Sequence, residues 1–190
     1  MSSSLAAGSE CFAVISGDTL LVFRKSGQQL PVSGLKWISK EKTGSPNFLA
    51  SQNTDPRNRK QALKGLLSPD GEWLIPPVLT GSLQGHKHFV VAEAVAEPCC
   101  TIGRVNIGGN QPSKYLIFDW NGEPLITSPA KMAIVGPDGH STMFEHENLY
   151  GLVISTDVKL PAEYNEIWQK ENGWIYVRKG NRFGALKWVK

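Results

Sequence analysis

The stretch that decides the fold runs Tyr150-Gly151-Leu152-Val153-Ile154, then Leu160-Pro161-Ala162-Glu163-Tyr164-Asn165-Glu166-Ile167-Trp168, then Gly173-Trp174-Ile175-Tyr176-Val177-Arg178, and ends Arg182-Phe183-Gly184-Ala185-Leu186-Lys187-Trp188. Four short runs rich in β-branched and aromatic residues are separated by turn residues, which is the pattern of strands. The last run repeats the first: an aromatic, a glycine, then apolar residues. That echo marks a β-repeat protein.

Moving upstream, the same phrase returns. Leu66, Leu116, Leu152 and Ala185 each follow a glycine or an aromatic and open an apolar triplet. A polar turn follows, with Gly71, Gly122 and Asp157 in three of them, and Pro76, Pro129 and Pro161 close the first three copies. Val22-Phe23, Gly27 and Leu30-Pro31 make a similar phrase near the start. The spacings are 50, 36 and 33 residues, a drifting period that suggests degenerate repeats with insertions in the early copies. A unit with one apolar face cannot bury it alone, so neighbouring units must stack. The expected fold is all-β: degenerate hairpin or three-stranded repeats, packed as a sandwich-like or partial-barrel set of antiparallel sheets.

Residues 1–10 are small and polar and are expected to be flexible, leaving 11–190 as a single domain. Residues 39–64 differ from the rest, being polar and basic, and are expected to form an insertion. Within them Asp55 has the makings of an N-cap, Pro56 of a first helical position and Gly65 of a stop, which predicts one short helix over 56–64. Charge is divided in the same way. Residues 36–64 carry seven Lys/Arg against two Asp/Glu, whereas 65–162 carry five against ten. Such polarity can steer a charged partner, although a net charge of +3 is too small to imply nucleic acid.

Cys11, Cys99 and Cys100 are odd in number and do not make a disulfide framework, so they are expected to be reduced thiols in the cytoplasm. The N-terminus lacks the basic and apolar regions of a signal peptide. No run approaches the roughly 18 apolar residues of a membrane span, so no membrane partner is expected.

The spacing of Tyr150-Gly151-Leu152-Val153, Leu160-Pro161, Tyr164, Ile167, Gly173, Tyr176-Val177 and Phe183-Gly184-Ala185-Leu186 resembles the WG-repeat family, widespread in bacteria. Gly65-Leu66-Leu67 with Ile75-Pro76-Pro77, and Tyr115-Leu116-Ile117-Phe118-Asp119, are looser copies. Tyr150-Gly151 and Phe183-Gly184 stand where the family carries Trp-Gly. The resemblance implies a binding module rather than an enzyme, and some small cytosolic members neutralise antibacterial toxins. The implied partner is therefore another protein, such as a cognate toxin.

No nucleophile elbow, phosphate loop, dinucleotide fingerprint or Cys-x-x-Cys pair occurs, and no cofactor is expected. His86 and His88 would share one face of a strand, and a metal would need a third ligand from His140, Glu145, His146 or Glu147. A surface loop entering a strand is the preferred reading, so no metal site is expected. Of six tryptophans, Trp168 and Trp174 occupy the aromatic slots of the repeat and are expected in the core. Trp120 lies in the turn Asp119-Trp120-Asn121-Gly122 and is expected to be exposed. With Arg57, Arg59, Lys60 and Lys64 of the basic insertion, it forms the expected partner-binding set. The alternative is a small-ligand or glycan-binding β-repeat, in which exposed aromatics stack on sugars.

Overall fold

A computed structural model describes residues 4–5, 11–16, 19–40, 44–53, 62–94, 100–102, 105–107, 114–136, 139–170 and 173–188. Among them there is no helix. All sheets are antiparallel and none closes into a barrel.

The strands follow one another as meanders of up to four. The first unit comprises β1 (Ser4–Leu5), β2 (Cys11–Ser16) and β3 (Thr19–Arg24). Its fourth place is taken by residues 28–32, where the Leu30 N–H donates to the Val22 carbonyl at 2.8 Å. Ser4 and Leu5, within the N-terminal ten residues, pair with Val14 and Ala13; residues 1–3 and 6–10 lie outside the described residues. The second unit is β4 (Leu35–Ser39), β5 (Phe48–Asn53), β6 (Ala62–Leu67) and β7 (Trp73–Leu79). A single pair, Leu20 with Leu35, joins these first two units into one seven-stranded sheet.

The third unit contains β8 (Leu83–Gly85) and β9 (Val90–Ala94). A small hairpin of β10 (Cys100–Ile102) and β11 (Val105–Ile107) follows, and then the third strand proper, β12 (Lys114–Phe118). Residues 124–130 run beside β12, bridged at Phe118 with Pro124 and at Tyr115 with Ala130. The fourth unit is β13 (Met132–Val135), β14 (Thr142–His146), β15 (Leu149–Val153) and β16 (Lys159–Tyr164). The last sheet has β17 (Glu166–Gln169), β18 (Trp174–Lys179) and β19 (Arg182–Lys187). The units thus have three strands, as in the last sheet, or four, as in the second and fourth units.

Side chains alternate across a strand, and here both faces of the inner sheets are buried. Leu67, Phe48 and Ala50 face the first unit with Val22 and Leu30, whereas Leu66 and Leu49 face the third with Leu116 and Phe118. Ile117, Phe89 and Val91 face the fourth unit with Phe144 and Val153. Leu152 and Ile154 face the last sheet with Ile167, Ile175 and Val177. Each cluster is therefore an interface between consecutive units, the nearest-neighbour construction of a stacked repeat. Burial on both faces explains why the strands read as continuous apolar runs such as Leu116-Ile117-Phe118.

The turn from third to fourth strand is reused. In the second unit the Ser68 N–H donates to the Glu72 carbonyl at 2.8 Å and Gly71 N–H to the Ser68 carbonyl at 3.1 Å. In the third, Asp119 with Glu123 and Gly122 with Asp119 repeat both bonds at 2.9 and 3.2 Å. The side-chain oxygen of Ser68 or Asp119 also accepts the next free N–H groups, from Asp70 and Glu72 or from Asn121 and Glu123. Ser and Asp are interchangeable there because each offers an oxygen to a local turn.

One expectation is corrected. The short helix over 56–64 is not formed as such: Ala62, Leu63 and Lys64 are strand, paired with Asn53, Gln52 and Ser51, and residues 54–61 lie outside the described residues. The apolar run through Leu66 and Leu67 draws Ala62, Leu63 and Lys64 into the ladder. Within the expected basic insertion 39–64, Phe48–Asn53 is a strand. Phe48, Leu49 and Ala50, each fully buried, suffice to anchor it. No helix among the described residues is long and apolar enough to cross a membrane.

Candidate functional site

In a four-stranded meander the first and third turns fall at one end of the unit, and the second turn and the link to the next unit fall at the other. Trp120 belongs to the first of these ends. Its indole N–H donates to the His86 carbonyl at 2.8 Å, its own carbonyl accepts from the Asn47 side chain, and its ring packs on the cluster containing Leu66 and Phe118. Trp120 is therefore half-buried and stitches the second unit to the third, rather than being an exposed contact residue. A turn that packs against the neighbouring unit buries its aromatic.

Lys64 lies at the opposite end, where its ammonium donates to the Gly81 carbonyl at 2.7 Å. Arg57, Arg59 and Lys60 lie outside the described residues. Trp120 and Lys64 therefore do not share one surface, since they sit at opposite ends of their strands.

His86 and His88 occupy the turn between β8 and β9, not a strand face. The His86 ring lies 5.2 Å from that of Phe89, and its buried Nε2 finds no hydrogen-bond partner among the described residues. Burial lowers the His86 pKa. His88 is 5.7 Å from His140 between ring centres, and His140 is 6.0 Å from Trp188. The His88 pKa is lowered first by burial and then by Lys87 and His140. Of the other candidate ligands, Glu145 pairs with Lys131 at 3.4 Å and His146 with Glu147 at 3.8 Å. Among the described residues no three His, Cys, Asp or Glu side chains gather as a metal set.

An aromatic surface lies elsewhere among the described residues, on the last sheet. Its inner face supplies Ile167, Ile175 and Val177 to the core. Register places Glu166, Arg178 and Phe183 in one row of the outer face, Trp168, Tyr176 and Ala185 in the next, and Trp174 with Lys187 in the third. Phe183 is 75% exposed, Trp168 42% and Tyr176 39%. Trp174 stacks on Tyr176 at 6.2 Å between ring centres, the Lys187 ammonium lies 5.8 Å from the Trp174 ring, and Arg178 pairs with Glu166. Trp168, expected in the core, is thus on the surface. Its alternation with Ile167 looks like that of an inner strand, but its sheet has a described neighbour on one side only. At the other end of the stack Phe12 and Phe23 make a smaller stacked pair, 5.5 Å between ring centres.

No model of a known protein family matches the chain, and no curated protein matches it either.

Proposed function

We propose that the protein is a non-enzymatic binding module for another protein, acting as a bacterial immunity protein that neutralises a cognate toxin by direct contact. The observation that carries this reading is the outer face of the last sheet: Trp168, Tyr176 and Phe183 exposed together, with Arg178 and Lys187 among them. Tryptophan, tyrosine and arginine are the side chains that dominate binding energy at protein interfaces. The buried Cys11 thiol suits a cytoplasmic location.

The test is co-expression with the toxin encoded beside this chain. Cells should survive with the wild type, and the double variant Trp168→Ala/Tyr176→Ala should lose protection and toxin binding. Absence of a neighbouring toxin, or death of protected cells, refutes the immunity role. Trp168 and Tyr176 are direct cross-strand neighbours, a flat pair that would also suit a sugar ring. Thermal shifts with cell-wall glycans, but with no protein partner, would favour that second reading.

A further inference from the structure

The last sheet has three strands where the unit before it has four. In the fourth unit β16 runs along β15, setting Leu160 opposite Leu152. In the second, β7 runs along β6 with Ile75 opposite Leu66. Residues 28–32 and 124–130 fill the same place in the first and third units. Along β19 no described residue does so.

The alternation of the ladder shows which groups are left. The two-residue loop Gly180-Asn181 makes Lys179 and Arg182 a hydrogen-bonded pair. Gly184 and Leu186 then point their backbone N–H and C=O at β18, while Phe183, Ala185 and Lys187 point theirs away. The Trp188 N–H, donating to the Gly173 carbonyl at 2.9 Å, keeps the same alternation. An open row of this kind is a template for another strand. Beside it lies a cleft of about 280 Å³, lined in part by Leu152, Ile154, Val158, Leu160, Ile175 and Leu186. All of these are apolar, as a strand with alternate apolar side chains requires.

We infer that β19 accepts an extended segment of a partner protein as the fourth antiparallel strand. The segment carries an acidic residue three places before a Leu-Pro or Ile-Pro pair. This follows from two of the four segments in that place, which enter and open β7 and β16 as Glu72-Trp73-Leu74-Ile75-Pro76 and Asp157-Val158-Lys159-Leu160-Pro161, whereas the first unit has Leu30-Pro31 without the acid. Charge agrees: β19 carries exposed Arg182 and Lys187 and no acid, and Lys187 stands at the end where the acidic residue arrives. Backbone pairing supplies affinity in such strand addition, the Leu or Ile opposite Ala185 joins the outer row of Tyr176 and Trp168, and the side chain opposite Leu186 meets the cleft. The inference rests on the binding-module reading and names the chemistry of what is bound.

The probe is a synthetic peptide copying Thr156-Asp157-Val158-Lys159-Leu160-Pro161-Ala162-Glu163-Tyr164, titrated into the full chain beside a scrambled control. Saturable binding is expected for the copy alone, and the amides of Phe183, Ala185 and Lys187 should gain protection from hydrogen exchange. Ala185→Pro removes one outward N–H and spares the β18–β19 ladder, and should weaken binding about tenfold. Lys187→Glu, a surface charge reversal, should weaken it as well and keeps the test valid should the proline variant misfold. No saturable binding, equal binding of the scrambled peptide, or protection elsewhere would overturn the inference. So would a dimer that Ala185→Pro dissociates, since a second copy would then occupy the edge. If the peptide fails while the Trp168/Tyr176 variant still abolishes toxin binding, the edge inference falls and the binding module stands.

Discussion

Gly122 lies so close to Leu74 that a Cβ on it would stand 2.6 Å from the Leu74 carbonyl oxygen. The contact joins a turn of the third unit to a strand of the second, so close stacking of units depends on a missing side chain. Gly122 also has φ +84°, whereas Gly27, in the corresponding turn of the first unit, has φ +85° with nothing within 4 Å. Gly27→Ala should therefore cost only the backbone term, about 1–2 kcal/mol. Gly122→Ala should add the overpacking term and cost about 3 kcal/mol or more. Urea denaturation of the two variants measures the difference, and equal losses would refute the close packing.

Asp119 is nearly buried and its Oδ1 accepts the N–H groups of Asn121 and Glu123 at 2.8 and 2.9 Å. Asp119→Ala strands both donors and should cost about 1–3 kcal/mol. Asp119→Ser should recover most of that, because Ser68 holds the same turn in the preceding unit. Melting temperatures in the order wild type, Ser, Ala would bear this out.

Trp120→Phe keeps an aromatic ring on the core and loses the hydrogen bond to His86. The expected cost is about 1 kcal/mol. Toxin or peptide affinity should not change, and a fall in affinity at unchanged stability would return Trp120 to the binding surface.

His86 and His88 both have lowered pKa values, His86 from burial and His88 from burial before its neighbours Lys87 and His140. The folded chain thus favours neutral imidazoles, while the unfolded chain takes up protons near pH 6.5. Stability is fully present above about pH 6.5 and declines as the pH falls through that value toward the lowered folded-state pKa values. Melting curves from pH 8 to 5 should show this decline, and His88→Gln should make it shallower. A flat profile in the wild type would refute it.

The strands were legible wherever apolar residues ran together, as in Gly65-Leu66-Leu67 and Tyr115-Leu116-Ile117-Phe118, because a sheet covered on both faces needs no polar alternation. The third-to-fourth turn was legible too, since Gly71 and Gly122 mark it. Phe48–Asn53 was not, being a short apolar pair among polar residues whose burial comes from units on both sides. Sequence gave Trp120 and Trp168 the wrong environments for one reason. Whether an aromatic is covered depends on its position in the stack, and both tryptophans stand in local patterns that say nothing of that.

The long excursions of the second and third units, residues 54–61 and 95–113, both leave between the second and third strands. In the fourth unit the same passage is a tight turn through Glu147 and Asn148, both at positive φ, and in the last sheet it is Gly180-Asn181. The four-stranded frame is indifferent to what is threaded through this one point. Foreign loops grafted at 147–148 or 180–181 would thus be carried as passengers on the same rim, without entering any of the packed interfaces.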